Sequence, residues 1–426
     1  MIQYWRFYWP LALTGLAMVL AVQFQNAALA RFPQAVTELA VFALAYSAYG
    51  LFHASLNFVA QLSNVYARSP QGTARSWRFA TVASACIMLP LLVLAHTEAG
   101  SEALRRIYGI EEALVARVTE YLAYLAPLLL ISAQRFYCNG LLVQARLTGW
   151  VTTLTVTYLL SVLAGLIAGF TLGLKPVHVL VGAEGVALLI QLTLSLLIKT
   201  RRYAPPEDPE HEDLTYAELL RFFLPVSTTA VMFALSRPIL YAFVARTPNG
   251  VLAIAAMRVA FDFATIFQQA ANQFRHFFVT FGWEDLEIKR RFLSLVCAGI
   301  TTIMLAVAIT PLSELIWGSL MGIPGPVREL SEQVLLVMCL MPALIVFRNY
   351  HHGRLMVERR TSGMAAGGIL RVAAILLAAQ VCTAFAWLNY VSASFILILG
   401  FVVEAVVAMV AAQKGQGSRA KATANM

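Results

Sequence analysis

Residues 135–148 read RFYCNGLLVQARLT, and residues 348–361 read RNYHHGRLMVERRT. In one register they share an arginine (Arg135, Arg348), a tyrosine (Tyr137, Tyr350), a glycine (Gly140, Gly353) and a leucine (Leu142, Leu355). A second arginine (Arg146, Arg359) and a closing threonine (Thr148, Thr361) complete the match. Elsewhere RFYWP at 6–10 matches RFFLP at 221–225, and at that same offset Thr14 pairs with Thr229, Arg31 with Arg246 and Pro33 with Pro248. Two independent blocks at nearly equal spacing indicate a duplicated chain.

The duplicated unit is a membrane unit. Of 426 residues, 60% are hydrophobic and 12% charged, with a mean hydropathy of +0.73. A soluble protein of this length has too little interior to hide so much apolar surface. Apolar runs bounded by charged or turn-forming residues give about twelve spans: 9–30, 39–64, 79–97, 119–142, 151–171, 177–198, 222–245, 251–275, 292–313, 330–353, 364–386 and 390–412. The first run, Trp9 to Ala30, is too long for the apolar core of a secretory signal and reads as a retained span.

The expected fold is therefore an all-α polytopic membrane protein, with two pseudo-symmetric six-helix bundles. The first bundle covers 1–198, a polar, proline-containing cytoplasmic linker 199–218, the second bundle 219–412 and a basic cytoplasmic tail 413–426. Six spans per half return the chain to its starting side. The halves are then expected to be related by an axis along the membrane normal, with a central cavity suited to alternating access.

With the amino terminus inside, eighteen basic residues fall on the cytoplasmic side against seven outside. This bias places both termini in the cytoplasm. It accounts for most of the formal +9 charge as topology, and nucleic acid is not an expected partner. The expected partners are membrane lipid and a small anionic solute, with the chain acting as a monomer.

Six arginines remain within or close to spans: Arg135, Arg237, Arg258, Arg275, Arg348 and Arg371. A guanidinium facing hydrocarbon costs about 3 kcal/mol or more on insertion scales, so each must snorkel, pair or face water. Arg258 and Asp262, four residues apart on one helical face, read either as a structural ion pair or as a gate. Asp262 and Glu404 are the deepest carboxylates, and intramembrane cations outnumber them. Such an excess attracts phosphate or carboxylate, whose oxygens match the guanidinium fork.

Neutral polar groups add to this set. Gln23 and Asn26 share a face of span 1, where they either orient a solute or hold helices together. His53, Asn57, Gln61 and Asn64 form a polar stripe along span 2. Ser236-Arg237-Pro238 places an arginine beside a helix-breaking proline in span 7, which ranks Arg237 first among the substrate-contact candidates. Pro10, Pro127, Pro225 and Pro342 are expected near the starts of spans 1, 4, 7 and 10.

Enzymatic signatures are absent: there is no GxxxxGK[ST], HExxH or GxSxG. The five cysteines fall singly in separate apolar runs, and neither they nor His53, His351 and His352 show metal-ligand spacing. No cofactor or metal is expected.

The segment SRPILYAFVAR, residues 236–246, resembles the progressive ankylosis (ANK) protein family, of which this chain would be a bacterial homologue, within the MATE-like multidrug and lipid-saccharide flippase (MOP) superfamily. Weaker likenesses lie in FQNAALAR at 24–31, LAYS at 44–47, FRHFFVTF at 274–281 and ILRV at 369–372. The resemblance implies alternating access and movement of anions such as citrate, pyrophosphate or nucleotide phosphates, with Arg237, Arg275 and Arg371 as carried-over basic positions. It departs where relatives have acids in span 1 and this chain has Gln23 and Asn26, and where a family lysine is replaced by Gly50.

The sequence reading is thus a non-enzymatic anion transporter. Its substrate contacts would be drawn from Arg237, Arg371, Arg135, Arg275, Arg348, Gln23, Asn26, Asn57 and His53, and its gating or coupling from Arg258, Asp262 and Glu404. The alternatives are a lipid or lipid-linked saccharide flippase, a cation-coupled multidrug exporter and, last, a non-transporting scaffold.

Overall fold

A computed structural model describes residues 2–145, 147–204, 214–272, 274, 285–357 and 362–424. Among these, the chain is all helical. Ten helices, or helix pairs joined through a turn, are long and apolar enough to cross a membrane, and they coincide with spans 2–6 and 8–12 of the sequence reading. Shorter apolar helices, Val19–Leu29 and Ala230–Val244, stand where spans 1 and 7 are expected. Large apolar side chains such as Leu160, Ile167, Ile303 and Leu377 point outward while arginines lie inside, the arrangement a lipid solvent selects.

Packing gathers the chain into two compact units that are discontinuous in sequence. One comprises Phe32–Ala242. It holds α2 (Ala35–Leu56), α3 (Val59–Tyr66), α4 (Pro70–His96), α5 (Glu98–Tyr108), α6 (Glu112–Leu125), α7 (Leu128–Gln144), α8 (Thr148–Thr171), α9 (Pro176–Arg202), α10 (Tyr216–Ala234) and most of α11 (Ser236–Val244). The other comprises Met1–Arg31 with Phe243–Met426. It contains α1 (Ile2–Leu29), α12 (Gly250–Asn272), α13 (Leu286–Ile309), α14 (Gly325–Met338), α15 (Met341–Val357), α16 (Ser362–Ala384) and α17 (Tyr390–Ala424). The first helix thus packs with second-half sequence, and α10, whose RFFLP matches the RFYWP of α1, packs with first-half sequence.

Aromatic and polar contacts explain the placement of α1. The Tyr8 ring stacks on Phe274 at 4.6 Å between centroids, and its hydroxyl donates to the Ala270 carbonyl at 2.8 Å. Tyr8→Phe should remove this one hydrogen bond and lower stability by about 1 kcal/mol, measured by thermal unfolding in detergent. A shift of zero would mean that this bond adds nothing net to stability.

Four spans are broken in the middle. The stripe proposed for span 2 is interrupted, because α2 ends at Leu56 and the Asn57 amide turns back to Ala54 at 3.3 Å before α3 begins. His53 is half-buried on α2, while Asn57 and Gln61 are exposed. Pro127 and Pro342 do not mark span starts. They lie inside the spans 112–144 and 325–355, where each removes a backbone donor and separates α6 from α7 or α14 from α15. In span 7, Pro238 cannot donate to Ala234, and the chain breaks there into α10 and α11.

Short connections complete the units. Ser69 caps α4, accepting from the Gly72 amide at 2.9 Å, and Thr97 caps α5 in the same way at 3.0 Å. The amphipathic α5 ends at Gly109, whose φ of 64° is the left-handed turn that glycine adopts without strain. Outside the spans, Arg105 and Arg106 both grip Glu102, which holds that carboxylate down at about 2.

Candidate functional site

The first charged cluster lies in the unit formed by Met1–Arg31 and Phe243–Met426. There α16 and α17 pack closely because glycines face them. A β-carbon on Gly400 would sit 2.6 Å from Ile375 and 3.0 Å from Arg371, and one on Gly367 would sit 3.3 Å from Glu404. This brings together two side chains 33 residues apart: Arg371 donates to Glu404 Oε2 at 2.7 Å.

From α15, Arg348 reaches the same oxygen at 3.5 Å and also donates to Asn272 Oδ1 at 2.9 Å. His352 Nε2 stands 3.8 Å from the other carboxylate oxygen. Both guanidinium carbons lie over the Phe401 ring, at 5.2 Å for Arg371 and 5.4 Å for Arg348. Arg371 is 0% exposed and Glu404 4%. The trio Arg371, Arg348 and Glu404 therefore carries two positive charges against one negative, away from bulk water.

A second cluster in the same unit joins α1 to α12. Arg258 Nε donates to Asn26 Oδ1 at 2.8 Å, the Asn26 amide donates to Asp262 Oδ2 at 3.2 Å, and Arg258 stands 3.7 Å from the same carboxylate. The pair anticipated from four-residue spacing is thus bridged by an asparagine from another helix. Gln23, one turn before Asn26, is 7% exposed, and neither of its amide atoms is hydrogen-bonded among the described residues. A buried amide without partners is a place for water or ligand polar groups.

In the unit Phe32–Ala242, α7 carries Arg135, 6% exposed. It donates to Gln191 Oε1 on α9 at 3.2 Å, and its guanidinium lies 4.5 Å from the Phe136 ring centre and 5.8 Å from that of Tyr158. The His53 ring packs against Phe136 at 5.6 Å and Tyr49 at 5.4 Å. Nearby on the same helices, Tyr46 donates to the buried Glu184 at 3.4 Å. Arg135 meets no carboxylate within ion-pair distance among the described residues.

The two arginine sites fall in one sequence register. An interval of 213 residues separates Arg135 from Arg348, Gln191 from Glu404 and Tyr158 from Arg371. At each site the arginine of a broken span donates to a side chain 56 residues further on, Arg135 to Gln191 and Arg348 to Glu404. One site holds an amide and a phenol where the other holds a carboxylate and a second guanidinium. Gln191, Tyr158, Phe401 and Asn272 were not singled out from sequence. Extending the 213-residue register beyond its matched blocks would have revealed the first two.

The remaining candidates are dispersed. Arg237 is half-buried in the first turn of α11, Asn57 is exposed at the α2–α3 break, and Arg275 lies outside the described residues. Among the described residues, no group of three or more His, Cys, Asp or Glu is placed to hold a metal ion.

A family model described as progressive ankylosis protein (ANKH) matches residues 1–180. No curated protein matches the chain. Solved structures with a similar fold include the lipid II flippase MurJ in an inward closed conformation, 11% identical, with a TM-score of 0.69 over 97% of this chain and 88% of that one. An inward-facing multidrug resistance transporter of the MATE family is 14% identical, with a TM-score of 0.68 over 96% and 95%. A MOP superfamily transporter from Pyrococcus furiosus, described as having a binding pocket of reversed polarity, is 14% identical, with a TM-score of 0.57 over 95% and 94%. The chain is thus an all-α, many-span membrane protein whose fold is similar to those of MOP-superfamily transporters.

Proposed function

We propose that the chain carries solutes bearing phosphate or carboxylate groups across a bacterial inner membrane by alternating access. The observation that supports this most is the buried trio on α15, α16 and α17, in which two guanidiniums share one carboxylate. Arg135 adds a second buried guanidinium, whose hydrogen-bond partner, Gln191, is neutral. Both sites favour an anionic group of the cargo over a cation.

The same chemistry suits a free anion, such as citrate, pyrophosphate or a nucleotide, and the acidic head of a lipid-linked cargo. Likeness of fold favours the lipid-linked form, since the lipid II flippase aligns with a TM-score of 0.69. A cation-coupled exporter needs an available carboxylate, whereas Asp262 and Glu404 are each engaged by arginine. We further propose that residues 1–198 and 219–412 are the repeated units, joined by 199–218, with both termini cytoplasmic as the basic-residue bias indicates.

Reconstitution tests the reading. Proteoliposomes should take up citrate, pyrophosphate or ATP, or translocate a diphosphate-linked lipid, while a zwitterionic control stays outside. Free-anion uptake and lipid translocation distinguish the two cargo forms. Arg237→Ala should lower the supported flux at least about tenfold, as expected for loss of one charge-assisted contact of about 1.5–3 kcal/mol. Transport of cationic drugs alone would reject the proposal.

A further inference from the structure

The two arginine sites differ at two paired positions, Gln191 against Glu404 and Tyr158 against Arg371. In the Phe32–Ala242 unit, the amide of Gln191 satisfies Arg135 at 3.2 Å. At the equivalent position in the other unit stands the carboxylate of Glu404, which takes donors from both Arg348 and Arg371 on a single oxygen. The neutral acceptor serves one guanidinium, whereas the carboxylate at 404 stands where Arg371 replaces the Tyr158 phenol and serves two.

We propose that Glu404 is a tethered counter-anion. It occupies the place on Arg371 and Arg348 that an acidic group of the cargo takes during transport, and the cargo displaces it. This rests on the reading of the cargo as anionic and adds the residue that sets affinity. A guanidinium–carboxylate contact is the same chemistry whether the carboxylate belongs to the chain or to the solute. Because the internal carboxylate is always present, it lowers apparent affinity by the fraction of time it holds the arginines. It also returns when the cargo departs, so the guanidiniums are never left bare in a medium where an uncompensated charge is costly.

Removing the charge at 404 should leave both guanidiniums to the cargo, and adding one at 191 should give Arg135 an internal competitor. With purified full-length protein, Glu404→Gln should bind citrate or pyrophosphate at least about tenfold more tightly. Its melting temperature should become strongly dependent on those anions, and its maximal uptake rate in proteoliposomes should fall because release is slowed. Gln191→Glu should raise the KM for uptake by a similar factor. A folded Glu404→Gln protein with unchanged or weaker anion affinity would assign Glu404 a structural role and overturn the inference while leaving anion transport intact. Should Glu404→Gln not fold, Gln191→Glu decides: a raised KM supports the inference, and an unchanged one overturns it. If the wild-type protein neither binds nor moves any anion or diphosphate-linked lipid, the functional proposal falls and this inference falls with it.

Discussion

Replacing Arg371 with methionine should reduce anion flux in proteoliposomes at least about hundredfold while leaving a folded protein. Arg371, Arg348 and Glu404 carry a net positive charge of one, and the substitution brings the trio to neutrality. Truncating one partner of a buried, hydrogen-bonded charge pair costs about 2–5 kcal/mol of binding, or about thirtyfold to several thousandfold. The fold survives because Glu404 retains Arg348 at 3.5 Å, and because methionine keeps much of the volume beneath the Phe401 ring.

Arg371→Lys should not restore the flux, since an ammonium is a point charge and cannot offer the planar fork. The double variant Arg371→Met with Glu404→Gln returns the site to one arginine beside an amide, the arrangement already present around Arg135. It should therefore recover part of the lost flux. Radiolabelled uptake at fixed protein density reads all three. Wild-type rates in the folded Arg371→Met protein would remove these arginines from the transport path.

Sequence and structure meet at different depths. Long apolar runs between charged breaks are visible to any window of membrane thickness, and ten of the twelve expected spans have helices of sufficient length among the described residues. The Arg258–Asp262 pair was legible because residues four apart share a helical face. Its bridge through Asn26 was not, since that contact joins helices 232 residues apart. For the same reason Arg371 had no evident carboxylate in sequence, and Glu404 became its partner only where two glycine-bearing helices cross. Composition also could not show that α1 packs with second-half sequence, a choice made by side chains such as Tyr8 and Asn26. Nor could it separate prolines that open a span from those that break one, because both leave the same missing donor.

The matched blocks at 135–148 and 348–361 also point to a residue on which one unit's packing depends. Gly140, shared by the two blocks as Gly353, should not tolerate valine: the variant is expected to yield no monodisperse protein on size-exclusion chromatography. A β-carbon there would lie 1.9 Å from Ser63 Oγ and 2.1 Å from the Ala60 carbonyl oxygen. The carbonyl is backbone and cannot rotate away. Ser63 is itself fixed, donating to the carbonyls of Ala60 and Tyr137, each at 3.0 Å. Behind it Tyr137 is tied to α4, its hydroxyl bonded to Ser76 at 2.9 Å and donating to Thr73 at 2.7 Å.

Relief would have to separate α3 from α7, and that would also disturb α4. Overpacking of an ordinary core costs about 1–3 kcal/mol. Here the obstruction is rigid on both sides and the cost should exceed that range. Gly50 supplies the control, since a β-carbon there meets nothing within 4 Å. Gly50→Ala should fold at least as well as wild type and gain up to about 1 kcal/mol from helix propensity. If Gly140→Val melted at the wild-type temperature, the close approach of α3 and α7 around Ser63 would be wrong, and with it the packing that places Arg135 on α7.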